Sequence, residues 1–309
     1  MRNRFAECKK SVVTHPAETA SWGGRDYAAL PLISRLSLRS YASAIEGLAH
    51  VLPHGLWHVK GATALLAHVG PTARLPRDLD VSVAEPAAEA LLRRTSPLED
   101  DEGGLVDILG SETMRFSDAR AKPQVYRVLL GVGRDPLITL ITADVLVIPE
   151  VDALADKRAT SIRFPTSRTW VPAATLSRCL AQKLLRYTLR RSGNRLNTRW
   201  SDLWDFLVAV SSPAATELDA SVLRDDIEIE FSHMGRTVPA TLSEPPAEWL
   251  DHWDAHSFQS RLSFGSLNAA AARLALFWDP LLSYGGVPLR WNPASWEWRG
   301  SPTTSVNLR

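Results

Sequence analysis

Apolar residues recur at helical spacing over 36–52, at Leu36, Leu38, Tyr41, Ile45 and Leu48, which predicts a helix that stops before Pro53. Trp57-His58-Val59-Lys60 reads as a short strand, and Gly61 turns it into a helical run over 62–68. A Gly/Pro/Thr/Arg loop over 70–77 leads into Asp78-Leu79-Asp80-Val81-Ser82-Val83, which alternates like a strand, and 85–94 has helical character. Further extended segments are predicted at about 104–109, 124–132 and 138–148. Mixed strands with a few covering helices indicate an α/β or α+β sheet domain up to about residue 165. After Pro172 the pattern changes, and 176–191, 200–210, 218–231 and 268–282 all favour helices. The expected class is α+β, with a sheet domain over 1–168 and a mainly helical domain over 169–309. Six of the eleven Trp residues follow position 245 and are expected to anchor the helical core rather than to form a ligand platform.

Composition narrows the class without naming a function. With 45% hydrophobic and 22% charged residues over 309 positions, the chain has ordinary globular usage, which excludes wholesale disorder and fibrous structure. No apolar run approaches the ~18–20 residues of a membrane span. The charged start has no apolar segment behind it, so a cytoplasmic location is expected. Cys8 and Cys179 are the only cysteines, which excludes a disulfide scaffold and a cysteine-built zinc site. The net charge of +1 hides an asymmetry: between Lys157 and Ser201 stand eleven Lys or Arg and no Asp or Glu. Acids then gather at Glu217, Asp219, Asp225, Asp226, Glu228 and Glu230. Such a basic block is either a phosphate-facing surface or a helix face balanced by acids elsewhere.

Several residues carry candidate chemistry. In Asp78-Leu79-Asp80, period-two alternation sends both carboxylates to one face, where their repulsion needs an offset such as Mg²⁺. Gly61 opens a helix whose first N–H groups can cradle a phosphate, although an ordinary strand-to-helix turn uses glycine as well. Asp144 interrupts the apolar run over 140–148, and a buried carboxylate is costly unless paired. If its strand neighbours that of Asp80, three carboxylates converge. Lys183 lies about 20° from Leu176 on the helical wheel, within the apolar stripe of Leu176, Leu180, Leu184 and Tyr187. It either snorkels to the rim or enters a cleft to meet an anion such as a triphosphate. Asp202 and Asp205 stand at i and i+3 on the following helix. His252 and His256 are one helical turn apart but lack the glutamate and third ligand of a zinc site. Gly131-Val132-Gly133 is no dinucleotide fingerprint.

Val59-Lys-Gly-Ala-Thr-Ala-Leu65, Arg74-Leu-Pro-Arg-Asp78-Leu-Asp80, Leu180-Ala-Gln-Lys183-Leu184 and Arg199-Trp-Ser-Asp202-Leu-Trp-Asp205 follow one another in the chain. In that order they resemble the four motifs of the AbiEii/AbiGii nucleotidyltransferase-like toxins. That family includes the MenT toxins and belongs to the DNA polymerase β-type superfamily. The resemblance runs over about 36–210. The chain departs from the family at Ala62, where Gly or Ser is usual and where Thr63 is a candidate substitute, and at Pro76, where Ser or Thr is usual.

The resemblance implies a polymerase β-type nucleotidyltransferase domain followed by a helical domain, and transfer of NMP from NTP. Asp78, Asp80 and Asp144 would hold Mg²⁺, with Mn²⁺ as an alternative. Asp144 would otherwise take the acceptor's proton. Lys183 would neutralise the leaving phosphates, with Asp202 and Asp205 orienting it or the acceptor. Lys60, Gly61, Ala62, Thr63, Arg77, Lys183 and Asp202 would contact the nucleotide. Arg186, Arg190, Arg191, Arg195 and Arg199 would follow an RNA backbone. The acceptor implied is the tRNA 3′ end, modified by the toxin of a type IV toxin–antitoxin pair, so that aminoacylation and growth are blocked. The protein is expected to be a monomer restrained by a cognate antitoxin, without membrane contact. Alternatives are a protein acceptor such as the antitoxin, a small-molecule hydroxyl, or a degenerate nucleotide-binding protein.

Overall fold

Twelve residues of alternating character make β6 (Leu137–Ile148) the longest strand. Ile141, Ala143 and Val145 turn into the core, while Thr142 and Asp144 face the other way. A computed structural model describes residues 27–114, 124–134, 137–149, 159–164, 167, 169–189, 199–259, 262, 264–283 and 285–300. Along the chain, helix α1 (Leu32–Val51) precedes β1 (Trp57–Val59), α2 (Gly61–Val69), β2 (Leu79–Ala84) and α3 (Glu85–Leu92). Strands β3 (Leu98–Glu99), β4 (Leu105–Met114) and β5 (Val125–Arg134) lead to β6, followed by β7 (Ala159–Ile162) and β8 (Val171–Ala174). One eight-stranded sheet results, in the order β3-β4-β5-β6-β2-β1-β8-β7. β2 runs parallel to β6 and β1 parallel to β8, while the other neighbours are antiparallel.

The remainder is mostly helical: α4 (Leu176–Thr188), α5 (Trp200–Ser211), α6 (Ala220–His233), α7 (Leu250–Gln259) and α8 (Leu267–Leu282). A hairpin of β9 (Leu289–Asn292) and β10 (Glu297–Gly300) closes the described chain. Thr175 caps α4 by accepting from the Arg178 N–H at 3.2 Å. Two cores follow from this arrangement. Leu48, Ile45 and Tyr41 of α1 pack with Val81, Val128, Leu130, Ile141 and Val145 on one sheet face. Trp204, Phe206, Trp253, Phe277, Trp278 and Trp291 fill the second, among the helices. Four of the six late tryptophans, Trp249, Trp253, Trp278 and Trp291, are buried there. Helix α2 belongs to both cores, since Ala64 and Ala67 face the sheet and Leu65 faces the helices.

The sheet runs past position 168, because β8 is its seventh strand and ends at Ala174. Pro172 lies inside β8, paired with Ser161 of β7, and so does not begin the helical region. Among the described residues no helix is long and apolar enough to cross a membrane.

Candidate functional site

Backbone pairing brings the first two motifs together. The Lys60 N–H donates to the Asp80 carbonyl at 2.9 Å, which carries the end of β1 alongside the start of β2. Gly61 then opens α2 at φ +64°, a left-handed conformation that favours glycine. A Cβ at this position would lie 2.8 Å from the carboxyl carbon of Asp80. The missing side chain therefore lets the Asp80 carboxylate rest against the N-terminal turn of α2, whose N–H groups have no partner inside the helix. Asp78 is the residue before β2, two positions from Asp80. Across the parallel ladder Asp80 is in register with Asp144, so the three expected carboxylates share one sheet face.

The electrostatics record that crowding. Burial raises the Asp78 carboxyl above its ordinary value, the negative charges of Asp80 and Asp144 raise it further, and Arg186 and Arg74 offset part of the effect. Among the described residues no hydrogen bond or ion pair holds the carboxylate of Asp78 or of Asp80. Asp144 differs. Arg127, opposite it on β5, donates from Nε to Oδ1 at 3.0 Å and from Nη2 to Oδ2 at 3.2 Å. Among the described residues no three His, Cys, Asp or Glu side chains stand ready to hold a metal. Lys60 is only 8% exposed, and burial pushes its ammonium down to about 8 despite the nearby Asp80. Arg186 acts on both Lys60 and Asp78, which puts its charge at this site.

Two of the expected residues are buried. Thr63 is fully buried, and its hydroxyl donates to the Asp78 carbonyl at 3.2 Å. It braces the strand entry, since the third residue of a short helix wedged against β2 faces inward. Lys183 neither snorkels nor enters an open cleft. At 4% exposure, its Nζ donates to Asp205 Oδ2 at 2.7 Å and to Asp202 Oδ1 at 3.2 Å. The acids one turn apart on α5 face α4 and take up the lysine. Arg74 completes the network, donating from Nε and Nη2 to Asp205 at 3.0–3.2 Å. Burial alone would raise Asp205, but Lys183 and Arg74 outweigh it and hold the carboxyl below its ordinary value.

The basic block divides in the same way. Arg178 pairs with Glu230 of α6 at 3.3 Å, and Arg199 with Asp202 at 3.6 Å. Part of the block is thus balanced by acids elsewhere in the fold. Arg190, Arg191 and Arg195 lie outside the described residues. Arg77 is exposed beside Asp78, and Ala62 is half-buried in the first turn of α2. His252 and His256 pack on Trp200, and His256 also meets the Trp204 ring edge-on, so both serve aromatic packing.

Reading the sequence missed Tyr41, Arg74 and Arg127 as individual contributors. Tyr41 donates to the Pro76 carbonyl at 3.1 Å, and burial followed by the charges of Asp78 and Asp80 pushes its phenol up to about 12. A tyrosine inside an apolar stripe is the available signal, since its hydroxyl needs a partner. Arg127 gave a weaker one, as a lone cation in an apolar strand.

A mixed sheet thus carries three carboxylates on one face, against a glycine-opened helix. The chain belongs to the AbiEii family, described as nucleotidyl transferase AbiEii toxin of the type IV toxin–antitoxin system, which matches residues 43–265. Its family supports nucleotidyltransferase activity of the toxin type in general terms. Two solved structures from Helicobacter pylori are similar. JHP933 is 14% identical, with a TM-score of 0.43 over 85% of this chain and 94% of that one. A protein proposed to be a nucleotidyltransferase is also 14% identical, with a TM-score of 0.42 over 82% and 96%. No curated protein matches.

Proposed function

We propose that this chain transfers a nucleoside monophosphate from an NTP to the 3′ end of an RNA, with tRNA the favoured acceptor, as the toxin of a toxin–antitoxin pair. The observation that carries the reading is the Asp80 carboxylate lying against the Gly61 turn of α2, beside the buried Lys60. A helix N-terminus and an ammonium bind phosphate oxygens on one side, while free carboxylates stand on the other. Asp78 and Asp80 fit a divalent cation: their oxygens are unbonded among the described residues, Arg186 and Arg74 offset only part of the charge crowding at Asp78, and Gly61 lets the Asp80 carboxylate lie against the α2 turn. Mg²⁺ is commonly held by one or two carboxylates together with substrate phosphates and water, so a third protein ligand need not be in place beforehand. When bound, such an ion stabilises charge on the phosphoryl oxygens and aligns the attacking and leaving groups.

The residues divide the work. The first N–H groups of α2, Lys60 and Arg186 bind and orient the triphosphate. The acceptor's 3′ oxygen attacks the α-phosphorus, and a new O–P bond forms as the bond to the β-phosphate oxygen breaks and pyrophosphate leaves. Asp144 takes the hydroxyl proton and supplies the third carboxylate. Lys183, Asp205, Asp202 and Arg74 fix the loop that leads to Asp78. The basic stretch that includes Arg190, Arg191, Arg195 and Arg199 follows the RNA backbone, and a cognate antitoxin restrains the protein.

The test is incubation with Mg²⁺, total tRNA and each α-labelled NTP, with products resolved on a denaturing gel. Label should enter tRNA and be lost in Asp80→Ala by at least about 10³-fold, the scale of losing a metal-centred electrostatic contribution. Label on protein would move the acceptor to a polypeptide. Label nowhere, with NTP still bound, would leave a nucleotide-binding protein.

A further inference from the structure

Of three carboxylates on one sheet face, two are open and one is closed. Asp78 and Asp80 have no hydrogen-bonding or ion-pairing partner among the described residues, whereas both oxygens of Asp144 are taken by Arg127. The pairing is dictated by the strands. Arg127 and Asp144 are direct cross-strand partners of β5 and β6, and Asp144 is in turn the register partner of Asp80 on β2. Side chains of such partners share a face, so from β5 the guanidinium holds both Asp144 oxygens on the face that Asp144 shares with Asp80. A bidentate arginine leaves a carboxylate little capacity for a second cation.

Exposure shows that this closure can open. The Arg127 side chain is 41% exposed and that of Asp144 18%, so water reaches the pair and it is weaker than the same fork would be in a buried setting. Guanidinium geometry matches phosphate as well as carboxylate. A triphosphate lying against the α2 turn would offer Arg127 replacement oxygens on the same face.

We infer that Arg127 is a positioning residue acting as a latch: it keeps Asp144 out of the cation site while no nucleotide is present, and releases it by transferring its hydrogen bonds to an arriving triphosphate. The inference rests on the transferase reading above. It adds an order of events, with nucleotide first and a complete carboxylate set second, so that the resting protein holds a divalent cation poorly.

Mn²⁺ binding, followed by the loss of the free-ion electron paramagnetic resonance signal, tests this without turnover. Arg127→Gln should tighten Mn²⁺ about tenfold in the absence of nucleotide, the scale on which partners of metal ligands tune affinity. The gain should vanish when Asp144→Asn is added. Arg127→Lys, which keeps the charge but not the fork, should fall between wild type and Arg127→Gln. With a non-hydrolysable triphosphate present, and the ion it binds in protein-free controls subtracted, wild type and Arg127→Gln should bind Mn²⁺ alike. Unchanged or weaker Mn²⁺ binding in a folded Arg127→Gln protein, checked by circular dichroism, would overturn the latch. So would a gain that persists in the Asp144→Asn background, since charge alone would then explain it. Asp80→Asn separates the two levels: if it leaves Mn²⁺ binding untouched, the site reading beneath the latch fails instead.

Discussion

Lys60 shows how one residue's environment becomes a measurable property. Burial lowers its ammonium to about 8, so the side chain changes charge within the working range of an assay. The protonated form binds phosphate, and it dominates below about 8 in the free protein. NTP affinity in wild type should therefore fall as pH rises through about 8, measured by isothermal titration. Lys60→Arg should flatten that profile, because a guanidinium stays charged, and Lys60→Met should bind weakly at every pH. The residue was legible in the sequence as part of Val59-Lys60-Gly61, but its lowered proton affinity was not. That property depends on Asp80, Arg186, Glu230 and Arg178, which are distant in sequence and unpredictable from local pattern. Arg127 was hidden for the same reason: its partner Asp144 belongs to another strand, and only the register pairs them.

At the scale of elements, periodicity located most of the chain. The helix predicted over 62–68 is Gly61–Val69, and the strand over 138–148 is Leu137–Ile148. Elements stabilised by distant partners escaped. β8 is four residues long, contains Pro172, and joins the sheet through β1 at Val59 and Ala173. α7 carries His252, Asp254 and His256 among its few apolar positions, which blurs its stripe. The α2 turn makes a sharp demand of its own. Gly61→Ala adds strain at positive φ and a clash with Asp80. It should lower stability by about 1–3 kcal/mol in urea unfolding and cut nucleotide transfer by more than about 10²-fold. Ala62→Gly, one position on, should leave transfer within about threefold, because that position makes no such contact.

The molecule as a whole is tied together by the Arg74–Asp205–Lys183 network. Arg74 comes from the loop between α2 and β2, Lys183 from α4 and Asp205 from α5, so one carboxylate joins the sheet region to the helices. Asp205→Ala would leave two cations without their shared acid and should cost about 3–5 kcal/mol. The pH dependence has a definite sign. A carboxyl held below its ordinary value contributes stability that is present above the unfolded value of about 3.9 and is lost as pH falls through the folded one. The gap between wild type and Asp205→Asn in urea midpoint should therefore be full at pH 6–7 and narrow below about 4. The motif order in the sequence indicated that these residues belong together. The apolar stripe put Lys183 on the buried face and the resemblance implied Asp202 and Asp205 beside it, but the share of Arg74 in the network did not show, because it comes from a loop distant in sequence.

Helix α2 also bears on whether the protein has separable halves. Ala64 and Ala67 lie in one core and Leu65 in the other. A chain cut after the sheet would expose Leu65 on the helix that Gly61 opens, and the cut-off helices would lose a side chain that fills their interior. Neither piece should be expected to keep its shape alone. Two such pieces expressed together would have a specific reason to find each other, and nucleotide binding would return only with their reunion.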